Sequence, residues 1–420
     1  EMDMKEPSVT LDHQKEIIDD LSDLFNSEEF YDVQIVVNSR VTIKAHKVIL
    51  ALRCDFFRNM FSNDAWKESK QKVVELTEDD CCVDHFETFL SYFYCGCLTI
   101  HSENVFAIYM LSDKYNVVAV KESCEQFALA NITTGTVKRA IAWCHYAKHM
   151  SFKALEDACN KFIALNMMEI IKSTDWLTIE PDHLSALLQR SDLVVEREFT
   201  LFRALIKWLS HNQNHTKEIL QHIKYTLMSP EDVYDPSFSE TLSEPVKKDF
   251  VSNSTLVYQV NSLPIETIGL FHDITSPLFS MRLYTFKDFG CARNIQNYSC
   301  MPSTTIEFST KLFQLRSTWT ITLHRNDCYQ SKSKPSGLPI LSCKVRECNL
   351  SDTNHEHQLT VLLYKCVDEK WLACDLKTIN VPHFQDVTIQ DLIPESKLKT
   401  YVHNNTTRLH FIGKTLWMRV

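Results

Sequence analysis

Residues 31–61 read YDVQIVVNSRVTIKAHKVILALRCDFFRNMF, and this stretch decides the fold of the N-terminal region. Two runs of alternating apolar residues, Val33–Val37 and Val41–Ala45, predict two strands. Asn38-Ser39 joins them as a tight turn, so the runs form a β-hairpin. The apolar segments Val48–Cys54 and Phe56–Phe61 follow directly and predict two short helices.

The flanking sequence adds helices to this hairpin. Upstream, apolar residues at i, i+4, i+7 and i+8 predict one stripe of an amphipathic helix: Ile17, Leu21, Leu24 and Phe25. That stripe needs another surface to bury against. Downstream, Val73–Leu76 predicts a strand and Phe86–Phe93 a helix that Gly96 ends. We therefore expect an α/β domain over residues 11–130 of a multidomain α+β chain.

Four of these segments resemble the BTB/POZ family. They are Tyr31-Asp32-Val33, AHKVILA at 45–51, FFRNMF at 56–61 and YFYCG at 92–96. The resemblance implies a homodimer whose interface residues are Ile17, Leu21, Leu24, Phe25, Asp32 and Lys47. Asp32 and Lys47 match the family's charged pair near that interface; alternatively, the two residues satisfy each other within one fold. Cys54 departs from the small hydroxyl residue that is usual there.

Trp66-Lys67-Glu68 lies just before the strand Val73–Leu76. Many BTB domains that recruit cullin-3 have a hydrophobic residue, any residue and then an acid at this place. The resemblance therefore implies that Trp66 and Glu68 contact cullin-3, with the aromatic ring as an anchor. In the alternative interpretation, Trp66 packs onto its own domain.

Residues 131–235 show helical spacing throughout, with a strong apolar stripe in Phe199–Leu209, and predict an all-α domain. LQRSDL at 188–193 and YTLMSPED at 225–232 resemble the BACK domain that commonly follows BTB. WCHYA at 143–147 and STDW at 173–176 resemble a branch of this family that includes extracellular members.

His145 and His149, beside Cys144, have the i, i+4 spacing of a metal site. Zinc requires three or four converging ligands, and no glutamate stands between the two histidines. We therefore predict no metal and no cofactor.

The charge balance changes near residue 260. Residues 1–260 carry 26 Lys and Arg against 40 Asp and Glu, whereas the remaining residues carry 18 against 14. We interpret 236–265 as a linker between domains. Alternation then appears in Trp319–Leu323, Leu359–Leu363, Leu409–Phe411 and Leu416–Val420, which predicts an all-β sandwich over 266–420. This region resembles the TRAF-type sandwich and contains no kelch repeat.

Several chemistries lack their motifs. The chain has only six glycines, and Gly413-Lys414-Thr415 ends a phosphate-loop pattern whose first glycine is replaced by Arg408. No nucleophile-elbow or zinc-protease motif occurs. The acidic N-terminal part disfavours nucleic acid, and no apolar run is long enough for a membrane span. We predict no enzyme, and neither nucleic acid nor membrane as a partner.

The sequence favours a cytoplasmic, non-enzymatic adaptor that dimerises, presents Trp66 and Glu68 to cullin-3 and selects a protein target through its β domain. Most of the eight cysteines before residue 160 lie in apolar helical patterns, which indicates free thiols and a reducing compartment. The alternative is a secreted, glycosylated oligomer that binds adhesion or lectin partners. Seven sequons fit it: Asn131, Asn214, Asn253, Asn297, Asn349, Asn404 and Asn405. An enzyme in the β domain is the remote third class.

Overall fold

The structure of the chain is a computed structural model. It describes residues 13–27, 29–62, 70–132, 137–234, 242–274, 276–286, 290–296, 303–312, 315–325, 341–348, 356–382, 385–389, 392–393, 398–404 and 406–416. Two compact units make up the chain, Glu1–Asn131 and Ile132–Val420.

The sheet of the first unit contains the predicted hairpin. Its strands are β1 (Val33–Val37), β2 (Val41–Ala45) and β3 (Val73–Leu76), and their order is β2-β1-β3. β2 pairs antiparallel with β1, and β3 pairs parallel with it. Asn38 and Ser39 have positive φ values of 48° and 56°, and the Arg40 amide donates to the Val37 carbonyl at 2.9 Å. The register pairs Val37 with Val41, so residues 38–40 form the hairpin loop, and these positive φ values give it the twist that suits a hairpin.

Helices surround this sheet. They are α1 (Gln14–Ser27), α2 (Lys47–Arg53), α3 (Asp55–Ser62), α4 (Asp80–Val83), α5 (Phe86–Cys95), α6 (Val105–Lys114) and α7 (Val118–Asn131). Gly96 ends α5 in the left-handed conformation, as predicted. Aromatic rings of α3 and α5 pack around the buried ring of Tyr115, whose hydroxyl donates to Glu78.

The second unit begins with helices. They are α8 (Val137–His149), α9 (Lys153–Leu165), α10 (Met167–Lys172), α11 (Pro181–Gln189), α12 (Glu198–Leu209), α13 (Thr216–Leu220) and α14 (Pro230–Val233). The buried indoles of Trp176 and Trp208 donate to the Ala204 and Ile179 carbonyls at 2.8 and 3.1 Å, which joins α12 to the segment before α11.

The predicted all-α region contains one strand. β4 (Val194–Val195) pairs parallel with β5 (Leu283–Tyr284), from the region assigned to the β domain. A two-residue strand is too short for its alternation to be recognised, and its partner lies far along the chain.

The predicted linker 236–265 is largely helical. Its described part contains α15 (Glu244–Ser262), and α16 (Ile265–Gly269) follows. Val246, Phe250, Val257 and Val260 are buried, and the Phe250 ring stacks on Phe202 with centroids 5.3 Å apart. This helix was not predicted because its middle is polar, which hides a helical period carried by only a few apolar residues.

Two antiparallel sheets form the C-terminal sandwich. Their strands are β6 (Gly290–Gln296), β7 (Ser303–Leu312), β8 (Leu315–Arg325), β9 (Leu341–Cys348), β10 (Glu356–Val367), β11 (Lys370–Val381), β12 (Asp386–Ile389), β13 (Val402–His403) and β14 (Thr406–Leu416), with α17 (Leu398–Tyr401) before β13. In the first sheet the order is β11-β10-β14-β13, with β6 also pairing with β14; in the second it is β12-β9-β8-β7. The likeness to a TRAF-type sandwich stays a prediction.

The sandwich core confirms the predicted alternation. Its buried residues include Trp319, Ile321, Leu323, Leu359, Val361, Leu363, Leu409 and Phe411. Of the last predicted run, only the backbone of Leu416 is described, and 417–420 lie outside the described residues. Gly413 lies within β14, where an added Cβ would be 2.4 Å from the Trp319 indole. This glycine therefore permits close packing in a strand and does not belong to a phosphate loop.

The outer face of the first sheet packs against the helices. The shared apolar cluster comprises Leu165, Val194, Leu283, Leu362, Ala373 and Ile412. At a β-bulge in β11, the Asn166 amide donates to the Ala373 carbonyl at 2.7 Å, and Asn166 Oδ1 accepts the Ala373 N–H at 2.8 Å. Lys161 Nζ lies 2.9 Å from Asp375 Oδ1. The predicted boundary at 266 thus runs through one compact unit. Among the described helices, none has the length and apolar character of a membrane span.

Candidate functional site

The predicted stripe on α1 is only partly covered by its own unit. Phe25 is buried against the Tyr94 ring of α5, with centroids 4.7 Å apart. Leu21 and Leu24 are half-buried, and Ile17 is 59% exposed. The C-terminal end of the stripe therefore fixes α1 to the fold, whereas its N-terminal end remains available for another surface.

A buried histidine joins the segment after α1 to α2 and α5. His46 immediately precedes α2, and its Nε2 donates to the Glu29 carbonyl at 2.7 Å. A carbonyl can only accept, so Nε2 carries its hydrogen, and Nδ1 lies 3.0 Å from the Tyr94 hydroxyl. The same hydroxyl accepts the His46 backbone N–H at 2.9 Å. Burial raises the pKa of Tyr94 to about 12, so the hydroxyl keeps its proton at neutral pH.

The short helix α2 exposes apolar side chains as well. Val48 and Leu52 are 63% and 68% exposed, whereas Leu50 between them is buried. We call the exposed or half-buried apolar residues of these two helices the α1–α2 surface: Ile17, Ile18, Leu21, Leu24, Val48 and Leu52. Removing such exposed apolar side chains from water favours association with a partner. Val48 and Leu52 were not predicted as surface residues from the sequence, although their i, i+4 spacing opposite Leu50 was a usable signal.

Asp32 and Lys47 lie next to each other at the start of α2. Asp32 Oδ1 accepts the backbone N–H of Lys47 at 2.8 Å, which satisfies a donor that the helix itself leaves unpaired. Lys47 Nζ donates to the Gln71 carbonyl at 3.0 Å and lies 5.4 Å from the centre of the Phe61 ring. Both residues therefore have a structural role within one chain, and their part in a dimer stays a prediction.

Trp66 and Glu68 lie in 63–69, outside the described residues. The described chain stops at Ser62, the end of α3, and resumes at Lys70, close to the start of β3. The strand β3 follows this motif along the chain, as predicted. The contact of Trp66 and Glu68 with cullin-3 stays a prediction.

Cys144, His183 and Asn160 meet at a pocket of about 180 Å³ in the second unit. Cys144 Sγ is 3.8 Å from His183 Nε2, which is itself 2.6 Å from Asn160 Oδ1. An amide oxygen only accepts, so His183 Nε2 carries its hydrogen and offers no lone pair to the thiol. Burial raises the pKa of Cys144 to about 11 and lowers the pKa of His183. This arrangement does not activate a cysteine nucleophile.

The histidines flagged by the sequence do not form a metal site in the described structure. His145 lines the pocket with Cys144, whereas His149 is not among its lining residues. No group of three or more His, Cys, Asp or Glu side chains in the described part of the chain is arranged to hold a metal ion.

A buried ion pair holds the helical layer of the second unit to residues far along the chain. Arg282 Nε lies 3.1 Å from Glu198 Oε2, and both side chains are completely buried. Tyr284 and the backbone of Lys224 also donate to Glu198, at 2.6 and 2.8 Å. The Arg282 guanidinium donates further to the His222 carbonyl at 2.7 Å. Because its charges are paired and hydrogen-bonded, this network is structural and offers no open binding site.

Two domain families match the chain. Residues 21–132 match the BTB/POZ domain, and residues 140–235 match the domain described as BTB And C-terminal Kelch, or BACK. These matches confirm the predicted resemblance and its order along the chain. They also place the α1–α2 surface largely within the BTB/POZ domain.

Curated relatives extend these matches. BTB/POZ domain-containing protein 17 of Xenopus tropicalis is 25% identical over 311 residues, which is 72% of this chain and 65% of that protein. Kelch-like protein 24a of Danio rerio is 24% identical over 376 residues, 84% of this chain and 60% of the relative. Galectin-3-binding protein of Mesocricetus auratus is 24% identical over 275 residues, 63% and 46% of the two chains. The chain thus spans less than two thirds of the length of these relatives.

Proposed function

Because the chain contains a BTB/POZ domain followed by a BACK domain, we propose that it is a homodimeric adaptor. Its first unit binds a second copy, and the sandwich of its second unit binds a protein target. The exposed apolar residues of the α1–α2 surface carry this proposal, because burying them against an identical surface removes them from water. The proposal includes no catalytic step.

Sedimentation velocity of the full chain tests the dimer. The parent protein should sediment as a dimer at micromolar concentration. The double variant Val48→Glu, Leu52→Glu should be monomeric, because four buried carboxylates per dimer would meet across the two-fold axis. Val118→Glu is the matched control, since Val118 is an apolar residue of α7 that is 56% exposed in the same unit. A monomeric parent, or a double variant that stays dimeric, would contradict the proposed interface.

We further propose that the dimer is a substrate-recognition subunit of a cullin-3 ubiquitin ligase in the cytoplasm. Trp66-Lys67-Glu68 supports this, because it matches the motif of BTB domains that recruit cullin-3. Replacing Trp66 with Ala should weaken cullin-3 binding by about 2 kcal/mol or more, as for an aromatic anchor. Lys67→Ala is the control and should bind normally. If the parent does not bind cullin-3 in titration calorimetry, the ligase role is wrong while the dimer is unaffected.

A second candidate is a secreted, glycosylated oligomer. The similarity to galectin-3-binding protein favours it, and the sequon residues Asn214 and Asn404 are exposed. Against it, five cysteines of the described chain are buried free thiols: Cys54, Cys82, Cys124, Cys144 and Cys159. Peptide-N-glycosidase treatment of the protein from animal cells separates the two candidates. A mobility shift that Asn214→Gln reduces would favour secretion, and an unchanged mobility would favour the adaptor.

A further inference from the structure

A cleft of about 500 Å³ opens in the second unit where the helical cover of the first sheet ends. One wall is formed by Leu165, Asn166 and neighbouring residues of α10, and the other by side chains of β10, β11 and β14. The volume lies within the range of protein ligand sites. Next to the cleft, the same sheet face is sealed by the apolar cluster that contains Leu362 and Ile412.

The sheet wall combines aromatic rings with one unpaired cation. Tyr364 and Trp371 are half-buried in this wall. The Arg408 guanidinium lies 5.4 Å from the centre of the Tyr364 ring, and among the described residues it forms no ion pair. Four arginines elsewhere in this unit are paired with carboxylates: Arg190, Arg197, Arg282 and Arg346. A guanidinium stacked on a ring keeps its N–H edge free for a planar anion.

The base of the sheet wall contains a polar atom without a partner. His410 is 6% exposed and lines the cleft, and among the residues that the structure describes its buried Nε2 has no hydrogen-bond partner. Burial, together with the nearby Arg408 charge, lowers the pKa of His410 to about 4, so the ring is neutral at pH 7. Buried polar atoms are nearly always hydrogen-bonded, and one left over beside a cleft indicates a missing partner.

The remaining charges of the cleft limit the ligand. Lys172 pairs with Glu169 at 3.1 Å, and Glu196 accepts a hydrogen bond from Thr200 at 3.5 Å. With Arg408, the cleft thus has two cations, Lys172 and Arg408, and two carboxylates, Glu169 and Glu196, and these four charges sum to zero. A doubly charged phosphate would meet two carboxylates, whereas a single carboxylate needs only the free edge of Arg408.

We propose that this cleft binds a carboxylate-bearing peptide segment of a partner protein, with the carboxylate on Arg408 and an adjacent aromatic or large apolar side chain against Trp371. The inference rests on the proposed adaptor function and assigns the chemistry of its target. His410 supplies a hydrogen bond to the peptide at the base of the cleft, and Tyr364 holds the guanidinium in place.

Selection of a phage-displayed random hexapeptide library on the full-length chain tests the proposal. Enriched peptides should carry Asp or Glu next to Trp, Phe or Leu. A synthetic enriched peptide should bind Arg408→Gln at least tenfold more weakly than the parent. Arg408→Lys should recover only part of that loss, because an ammonium cannot form the bidentate contact. Arg346→Gln, an exposed arginine of the second sheet, is the matched control and should bind like the parent.

Exchanging the peptide's acid for its amide should weaken binding to the parent tenfold but leave binding to Arg408→Gln unchanged. Equal thermal unfolding temperatures of the parent and Arg408→Gln would show that the variant is folded. The absence of enrichment, enrichment of peptides without acids, or displacement of the peptide by 10 mM inorganic phosphate would each overturn the assignment. The monomeric double variant Val48→Glu, Leu52→Glu should still bind the peptide, so failure of the dimer is distinguishable from failure of the cleft.

Discussion

Replacing Asn166 with Ala should loosen the attachment of the sandwich to the helices. The Asn166 side chain forms two hydrogen bonds to the backbone of Ala373 and one to the Phe162 carbonyl at 2.8 Å. Ala373 is buried, so the variant leaves both its N–H and its carbonyl without partners. Each such group costs about 1–3 kcal/mol. Because Asn166 also lines the cleft, water can reach one of these two backbone groups. We therefore expect the free energy that holds this strand in place to fall by about 3 kcal/mol in total.

Hydrogen exchange followed by mass spectrometry measures this loss locally. In Asn166→Ala, the peptide that contains residues 370–381 should exchange roughly a hundredfold faster, since 1.4 kcal/mol corresponds to a factor of ten. Asn212→Ala is the matched control. Its amide donates to the carbonyl four residues earlier, as Asn166 does, but among the described residues it forms no hydrogen bond to a distant strand. Equal exchange in the two variants would refute the reasoning.

Asn166→Asp gives an independent check. The carboxylate still accepts the Ala373 N–H, but its second oxygen faces the Ala373 carbonyl, and the charge is buried. The folded pKa of this Asp should therefore lie above its unfolded value of about 3.9. Such a group contributes stability below the unfolded pKa, and the contribution is lost as the pH rises through the folded pKa. Near pH 4 the protection of residues 370–381 against hydrogen exchange should approach that of the parent, and at pH 7 it should be lower than in the parent.

Three further predictions concern the second unit. Gly413→Ala should destabilise the sandwich by about 2 kcal/mol or more, because its methyl group would overlap the Trp319 ring; tryptophan fluorescence in urea measures this. Glu198→Gln should cost about 3 kcal/mol or more by leaving Arg282 buried with its charge unpaired, measured by thermal unfolding. The pKa of His410 is about 4 in the folded state and about 6.5 in the unfolded state. Between these two pH values the unfolded state binds the proton more strongly, so the free energy of unfolding falls as the pH is lowered from 6.5 to 4. His410→Gln should remove up to about 3 kcal/mol of that fall in urea titrations at pH 7 and pH 4.

Each of these predictions has a control or an outcome that would contradict it. Gly269→Ala should be tolerated, since its added Cβ would lie 3.9 Å from Ile274. The double variant Glu198→Gln, Arg282→Met should recover part of the loss caused by Glu198→Gln, because it removes the unpaired charge while the amide oxygen can still accept from Tyr284 and the Lys224 backbone. A Glu198→Gln protein as stable as the parent would mean that the pair is not structural. Identical pH slopes for the parent and His410→Gln would mean that His410 does not titrate as inferred.

Local patterns made the first unit predictable from its sequence. Val33–Val37 and Val41–Ala45 alternate with period two, and Asn38-Ser39 supplies a turn that tolerates positive φ, so the hairpin depends on neighbours in sequence. The stripe on α1 was predictable for the same reason. The extent to which its own fold covers that stripe was not predictable, because burial of Phe25 depends on Tyr94 from a distant helix.

The second unit shows where sequence patterns stop being informative. The β14 run was recognised from Leu409 and Phe411, but the cleft residues Arg408 and His410 alternate with them on the other face and gave no signal as single polar residues. Arg282 also gave no signal, because nothing in the sequence around it indicates that it pairs with the buried Glu198. Contacts of this kind depend on tertiary structure and cannot be read from spacing.

The buried pair of Glu198 and Arg282 has a consequence for synthesis on the ribosome. The two residues are 84 positions apart, which takes roughly 4–17 s to translate at about 5–20 residues per second. During that interval the nascent helical layer holds an acid without its partner and an open strand edge at Val194–Val195. The first unit, which ends at Asn131, is already complete. A chain that terminates between 235 and 280 would thus be released with one finished unit and one that chaperones and proteases should recognise as incomplete.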